Sequence, residues 1–306
     1  MFRNRDVVRV ILPFLPFMAA CATSTSMVEP RMPVERIVTS APGIQIRYDD
    51  IGNGEPALLL LPGWSSSRRV FAPLLVPLSA GHRVLAVDWR GHGKSSRNVP
   101  DFGFPQLVDD ALAVVKASGA RTVVPVAVSH AGWVAIDLRN RLGDRVPKVV
   151  LLDWIILDPP PPFLNALAAL QAESSWRGVR DQLFSMWLAN TGNEALSRFL
   201  STDMGEYDFA MWARAGREID AAYRQNGNPL KALSQLRPPV PTLHVYAQPD
   251  APAYLQAQES FAKENPWFHV VKLEARTHFP MFEVPTDLAN AINAFVAEND
   301  RYRGSK

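Results

Sequence analysis

Val126-Ala127-Val128-Ser129-His130-Ala131-Gly132 is the stretch on which the fold turns. An apolar run ends in a serine, small residues stand two positions to either side of it, and helical spacing begins at Gly132. That is the pattern of a nucleophile elbow, a sharp strand-to-helix turn that lifts a serine Oγ above a sheet. The small residues are needed because strand and helix approach closely there. Ala127 and Ala131 occupy positions where glycine is usual, and Gly132 follows. A plain β–α turn with a capping serine is the competing reading, so the surrounding chain has to decide.

Outward from the elbow, strands are expected over 44–48, 57–61, 83–88, 122–128, 148–153, 242–246 and 268–273. Helices are expected over 106–118, 132–142, 254–263 and 288–297. The runs 57–61 and 149–152 are unbroken apolar stretches, the composition of parallel strands covered on both faces. Strand–helix alternation then gives a doubly wound, mostly parallel α/β sheet. Gly52-Asn53-Gly54 reads as a hairpin turn leading into the 57–61 strand. With no third glycine and no helix after it, it is not a dinucleotide loop. The interval 158–235 breaks the rhythm: it is helical in pattern and opens with four prolines, Pro159 to Pro162. It is expected to be a helical cap inserted between two halves of the core, 42–157 and 236–300.

The 306 residues suit either two domains or one α/β unit with such a cap. Apolar residues make up 47% and charged residues 20%, the balance of a globular protein with ample core. The formal charge of +2 comes from 32 basic and 30 acidic residues. Residues 1–20 hold Arg3, Arg5 and Arg9 against Asp6, so 29 basic and 29 acidic residues remain beyond them. A neutral body excludes the clustered basic surface of a nucleic-acid-binding protein. The single cysteine, Cys21, excludes an intrachain disulfide and a cysteine-based metal site.

The first 26 residues form a separate segment. A basic start, an apolar run over 10–20 and small residues around Cys21 make a signal-peptide pattern. As a helix that run rises only about 16 Å, too short for a bilayer core of about 30 Å. Met18-Ala19-Ala20-Cys21 is similar to a bacterial lipoprotein box, in which the cysteine is lipidated and becomes the mature N-terminus. The expectation is export, with Cys21 anchoring the protein to a membrane facing the periplasm. Ordinary cleavage near Ala20-Cys21-Ala22, or a true start at Met27 or Met32 that leaves the protein in the cytoplasm, are the alternatives.

An elbow serine needs a base. Of the six histidines, His278 lies just beyond the last expected strand, in Thr277-His278-Phe279-Pro280, where a doubly wound sheet delivers one. His82 and His269 read as surface residues, His244 as part of an apolar strand, and His92 as part of a structural turn. For the acid there are two candidates. Asp153 ends the strand before the cap, directly after Leu151 and Leu152, where an unpaired charge would be costly. Its rival, Asp250, follows the penultimate strand in a proline-rich loop. Asp153 is favoured; it would hold the imidazole tautomer and stabilise imidazolium without taking the proton. An oxyanion hole would draw on the backbone N–H groups of His130, after the serine, and of Trp64, in the turn Pro62-Gly63-Trp64-Ser65. Without an H-E-x-x-H pair, a Walker loop or a dinucleotide fingerprint, no metal and no cofactor is expected.

These segments together resemble one family. Leu61-Pro62-Gly63-Trp64, Asp88-Trp89-Arg90-Gly91-His92-Gly93, Pro100-Asp101-Phe102-Gly103 and Ser129-His130-Ala131-Gly132-Trp133 follow its pattern. So do Asp153-Trp154, Leu183-Phe184-Ser185-Met186-Trp187-Leu188, Asn265-Pro266-Trp267-Phe268 and Thr277-His278-Phe279-Pro280. The chain is similar to the cofactor-independent 3-hydroxy-4-oxoquinoline 2,4-dioxygenases of the α/β-hydrolase fold, over about residues 43–295. The resemblance implies ring opening of a 3-hydroxy-4(1H)-quinolone by O₂, with release of carbon monoxide and an N-acylanthranilate. It implies that His278 with Asp153 takes the 3-hydroxyl proton and that Ser129 orients the substrate without attacking it. Trp64 and His130 N–H groups would hold oxygen-anion character, and Trp187, Trp154, Val128 and Phe279 would shape the pocket for a flat aromatic heterocycle, possibly 2-alkylated. Val128 stands where family members can carry a histidine.

Two other functions compete. A serine hydrolase would use Ser129 as a true nucleophile on an ester, lactone or amide. A lipid-anchored binding protein would keep the pocket without turnover.

Overall fold

In the computed structural model, which describes residues 32–189 and 191–298, eight strands make one sheet. They are β1 (Val34–Ala41), β2 (Ile44–Ile51), β3 (Ala57–Leu61), β4 (Val84–Val87), β5 (Val123–Val128), β6 (Val149–Leu152), β7 (Thr242–Tyr246) and β8 (Phe268–Lys272). The spatial order is β1-β2-β4-β3-β5-β6-β7-β8. From β4 to β8 all neighbours are parallel, while β1 and β2 are antiparallel additions at one edge. The segment 1–26 and Cys21 lie outside the described residues. Among the described residues no helix is long and apolar enough to cross a membrane.

Every residue of β3, β4, β5, β6 and β7 is buried, which is why these strands read as continuous apolar runs. β1 is the opposite case. It is an edge strand with its first four residues exposed, so it carries no alternation to read, and the core begins before the expected boundary at 42. The hairpin reading of Gly52-Asn53-Gly54 is also corrected. β2 pairs with β4, and β4 lies between β2 and β3, so the turn carries the chain past a strand that comes later in sequence. The actual hairpin joins β1 to β2, with Gly43 at φ 75° in its turn.

Helices α1 (Ala72–Ser79), α2 (Phe104–Ser118) and α3 (Gly132–Leu142) follow β3, β4 and β5. Between β6 and β7 the chain is wholly helical: α4 (Pro161–Leu170), α5 (Trp176–Leu188), α6 (Glu194–Thr202), α7 (Phe209–Asn226) and α8 (Pro229–Ser234). The long α7 packs on α4 and α5 through a buried stripe that includes Met211, Trp212, Ala215 and Ile219. Trp176 and Trp212 are buried here as cap core. α9 (Pro252–Glu264), α10 (Pro280–Glu283) and α11 (Pro285–Ala297) complete the fold. In parallel sheets of this kind ligands meet the carboxyl ends of the strands. Here those ends carry the turns after β3, β5, β6 and β8.

Candidate active site

Among the described residues three non-glycine residues have positive φ: Ser65 at 53°, Ser129 at 52° and Asp153 at 45°. Each such residue costs on the order of 1–3 kcal/mol unless its surroundings hold it, and strain of this kind gathers at functional sites. The three follow β3, β5 and β6, adjacent strands in the middle of the sheet. They fall in the turn expected to form the oxyanion hole, at the elbow and at the expected acid.

At the elbow, Val128 ends β5 in extended conformation and Ser129 turns the chain into α3. Close packing fixes the residues around it. A Cβ on Gly132 would lie 2.1 Å from Cζ3 of Trp154, so only glycine lets the helix start against that indole. Ser129 is half-buried, and among the described residues no hydrogen bond joins its Oγ to His278.

His278 and Asp153 form a pair. Nδ1 of His278 is 2.7 Å from Oδ1 of Asp153. The other carboxylate oxygen accepts the backbone N–H groups of Ala247, at 2.7 Å, and Gln248, at 3.3 Å. Asp153 is 1% exposed, so these donors and the imidazole replace the water it has lost. Donation from Nδ1 leaves Nε2 with its lone pair, the form that can take a proton. The segment after the acid is braced as well. Tyr254 Oη donates to Trp154 O and accepts from Ile156 N–H. His244 accepts the Trp154 N–H through Nε2 and donates to Gln258 through Nδ1. Burial pushes the His244 imidazole down to about 4, so it sits there neutral. Asp250, the rival acid, has a side chain 68% exposed that pairs with Lys272 at 2.8 Å.

The turn after β3 is anchored along its length. Pro62 O accepts from the indole N–H of Trp89, and Ser65 N–H donates to His92 Nε2 at 3.1 Å. Ser67 N–H and Oγ–H both donate to Asp203, at 2.9 and 2.5 Å. Arg68 N–H donates to Asp88 at 2.7 Å. Burial pushes His92 down to about 4, which keeps Nε2 an acceptor. The Trp64 N–H has no acceptor among the described residues. A Cβ on Gly63 would be 3.8 Å from that of Ser129, so the turn packs directly on the elbow. Trp64 stacks on Phe102, with ring centroids 5.7 Å apart.

His130 does more than lend its N–H. Its Nδ1 accepts from the indole N–H of Trp154 at 3.0 Å, and its ring stacks on Phe163 of α4. Burial, and secondly the charge of His278, push it down to about 3. Of the expected pocket residues, half-buried Trp187 stacks on the His278 ring, with centroids 5.5 Å apart. Trp154, Val128 and Phe279 are 1%, 2% and 3% exposed and stand behind the surface. Trp154 acts through His130, and Phe279 backs Trp187 edge-on. Sequence reasoning missed Asp203 and Tyr207 of the cap, which meet the turns after β3 and β4. It also missed the imidazole contacts of His92, His130 and His244. Among the described residues no group of three or more His, Cys, Asp or Glu side chains is placed to hold a metal.

A sequence model of the alpha/beta hydrolase family matches residues 58–291. A 2-heptyl-3-hydroxy-4(1H)-quinolone dioxygenase of Mycobacteroides abscessus is 38% identical over 81% of this chain and 93% of its own length. The 1H-3-hydroxy-4-oxoquinoline 2,4-dioxygenase of Pseudomonas putida is 36% identical over 83% and 97%. Among solved structures, a variant described as recognising and cleaving the ring of the Pseudomonas quinolone signal, in complex with its substrate, superposes with a TM-score of 0.81 at 37% identity. It covers 87% of this chain and is itself covered completely. An esterase from Exiguobacterium antarcticum, at 16% identity and a TM-score of 0.71 over 87% of this chain and all of its own, shares the fold alone. The chain has the α/β-hydrolase fold and belongs to the 3-hydroxy-4-oxoquinoline 2,4-dioxygenase family.

Proposed function

We propose that the protein cleaves the heterocyclic ring of 3-hydroxy-4(1H)-quinolones with O₂, and that His278, Asp153 and Ser129 carry the reaction. The observation that bears the reading is a base–acid pair complete without the serine. Asp153 holds Nδ1 of His278 at 2.7 Å, which leaves Nε2 to take the substrate's proton. A base so placed takes the 3-hydroxyl proton through Nε2, and the imidazolium that forms faces a carboxylate already held by two backbone donors. The Trp64 and His130 N–H groups receive negative charge on the substrate oxygens. Ser129 donates a hydrogen bond that orients the ring. The electron-rich anion then supplies electrons to O₂, a role that otherwise falls to a cofactor. Both atoms of O₂ end on C2 and C4, the carbon between them leaves as carbon monoxide, and an N-acylanthranilate remains.

The face of α5 suits such a substrate. Leu183, Phe184, Trp187 and Leu188 are partly buried apolar residues, and Trp187 lies parallel to the His278 ring. A flat heterocycle with an apolar 2-substituent fits the chemistry of that wall, and relatives act on a 2-heptyl compound. The deciding experiment incubates metal-free protein with a 3-hydroxy-4-quinolone with and without O₂. Carbon monoxide and N-acylanthranilate are expected only with O₂; turnover under anaerobic conditions would reject the reading. The proposed export through lipidated Cys21 is checked by the mass of the mature N-terminal peptide. An unmodified Cys21 rejects it.

A further inference from the structure

The oxyanion turn is tied to the core at Pro62, Ser65 and Arg68, through Trp89, His92 and Asp88. A further tie comes from the cap. Asp203, the residue that ends α6, lies 136 positions from Ser67 in sequence, yet its two carboxylate oxygens take both the N–H and the Oγ–H of that serine. Tyr207, four residues on, packs on the neighbouring turn after β4, which itself supports Ser65. Its Oη accepts the Gly93 N–H at 3.1 Å, and its ring lies 5.2 Å from that of His92, which receives the Ser65 N–H.

We propose that Asp203 is a positioning residue for the oxyanion hole, and that the cap segment 203–207 clamps the turn so that Trp64 N–H is aimed only when the cap is seated. This rests on the dioxygenase reading for its chemistry, though not for its geometry. Asp203 is 3% exposed, and its nearest cation, Arg69, is 4.0 Å away with a side chain 67% exposed. Burial raises its proton affinity, and the Ser67 donors oppose that. An apolar contact would join cap to core without burying a carboxylate. What the carboxylate adds is direction: two bonds to one residue fix where Ser67 sits. Gly63 rests against the elbow, so the turn that Ser67 anchors is the one that sets Trp64 beside Ser129.

The test compares Asp203→Ala, Asp203→Asn and Ser67→Ala. Three readouts are taken: steady-state turnover of a 3-hydroxy-4-quinolone, the anaerobic absorption spectrum of the bound quinolone, and amide hydrogen exchange of residues 62–68. Loss of one oxyanion donor outright costs about 100- to 1000-fold, so loosening one in Asp203→Ala should lower kcat about 10- to 100-fold. KM should move by less than about threefold, because the interaction matters mainly where charge develops. The bound quinolone should shift from its anion toward its neutral form, and the turn amides should exchange faster. Asparagine still offers an oxygen to Ser67 N–H and should recover most of kcat. Ser67→Ala, which keeps its N–H, should fall between. If Asp203→Ala does not fold, the other two variants carry the same readouts. Unchanged kcat and unchanged exchange of 62–68 in Asp203→Ala, or in Ser67→Ala where Asp203→Ala does not fold, would overturn the clamp. Should the wild-type protein fail to turn over any quinolone, the dioxygenase reading falls and exchange decides the clamp alone. Faster exchange in the variants then supports it, and equal exchange overturns it.

Discussion

Two aspartates stand beyond neighbouring strands of the same sheet, and of the two Asp153 is the one that meets the imidazole of His278. Asp153 follows β6 with φ 45°, is 1% exposed, and is met by an imidazole and two backbone N–H groups. Asp250 lies in the loop after β7, with its side chain in solvent against Lys272. A carboxylate becomes a catalytic partner by being desolvated and then fully satisfied. Position after a strand is not enough. β7 contributes to the pair differently: its outgoing backbone, at Ala247 and Gln248, donates to Asp153.

The contrast can be attacked by mutation. Removing the base, His278→Ala, should lower kcat by about a thousandfold with the fold intact, the middle of the range for general-base loss. Retention of a tenth of the activity would mean that the proton goes elsewhere. Asp153→Asn keeps the shape and loses the charge, and should lower kcat through a misplaced tautomer by no more than the loss of the base itself. Asp250→Asn, measured beside it, closes the scale. Ser129→Ala should cost about tenfold, the worth of one hydrogen bond of about 1.4 kcal/mol. A serine hydrolase would instead lose about a millionfold, so this variant separates the two chemistries.

Acid should strike the supports of the site before its surface. His92 and His244, both pushed to about 4 by burial, and His130, pushed to about 3, stay neutral in the folded protein. Unfolded, they take a proton near the ordinary value of 6.5. The unfolded chain therefore binds more protons between pH 6.5 and 4, and stability falls as pH drops through that window, by up to about 1.4 kcal/mol per unit for each histidine. Urea unfolding at pH 7, 5.5 and 4.5 measures the slope; a flat profile would contradict neutral burial. The smallest effect belongs to Asp250→Asn, whose kcat should stay within about twofold of wild type, as for most exposed ion pairs. A large loss there would undo the distinction between the two aspartates.

What could be read without coordinates follows a physical rule. Ser129, His278 and Asp153 sit at the ends of elements with strong periodicity, and the turn chemistry around them is local. Buried parallel strands announce themselves because both faces are apolar. β1 did not, since water reaches its first four residues and nothing constrains their alternation. The order of β2, β4 and β3 depends on which strand slots between two others, and no local pattern around Gly52 records that. Asp203 and Tyr207 touch the core turns across a cap–core boundary, where helical spacing reports only which face is buried. His244 was legible as part of an apolar strand and His92 as part of a structural turn, though the partners of their imidazoles were not.

One hydrogen atom deserves a place in how such proteins are searched for. The elbow here tolerates a methyl at 127 and at 131, the positions where the usual pattern demands glycine. The intolerant position is 132, because Trp154 occupies the space a side chain would need. That indole also steadies His130. A search pattern built on steric necessity would therefore key on a glycine three residues after the serine together with a tryptophan directly after the acid. Two residues 22 positions apart would then serve as one signature.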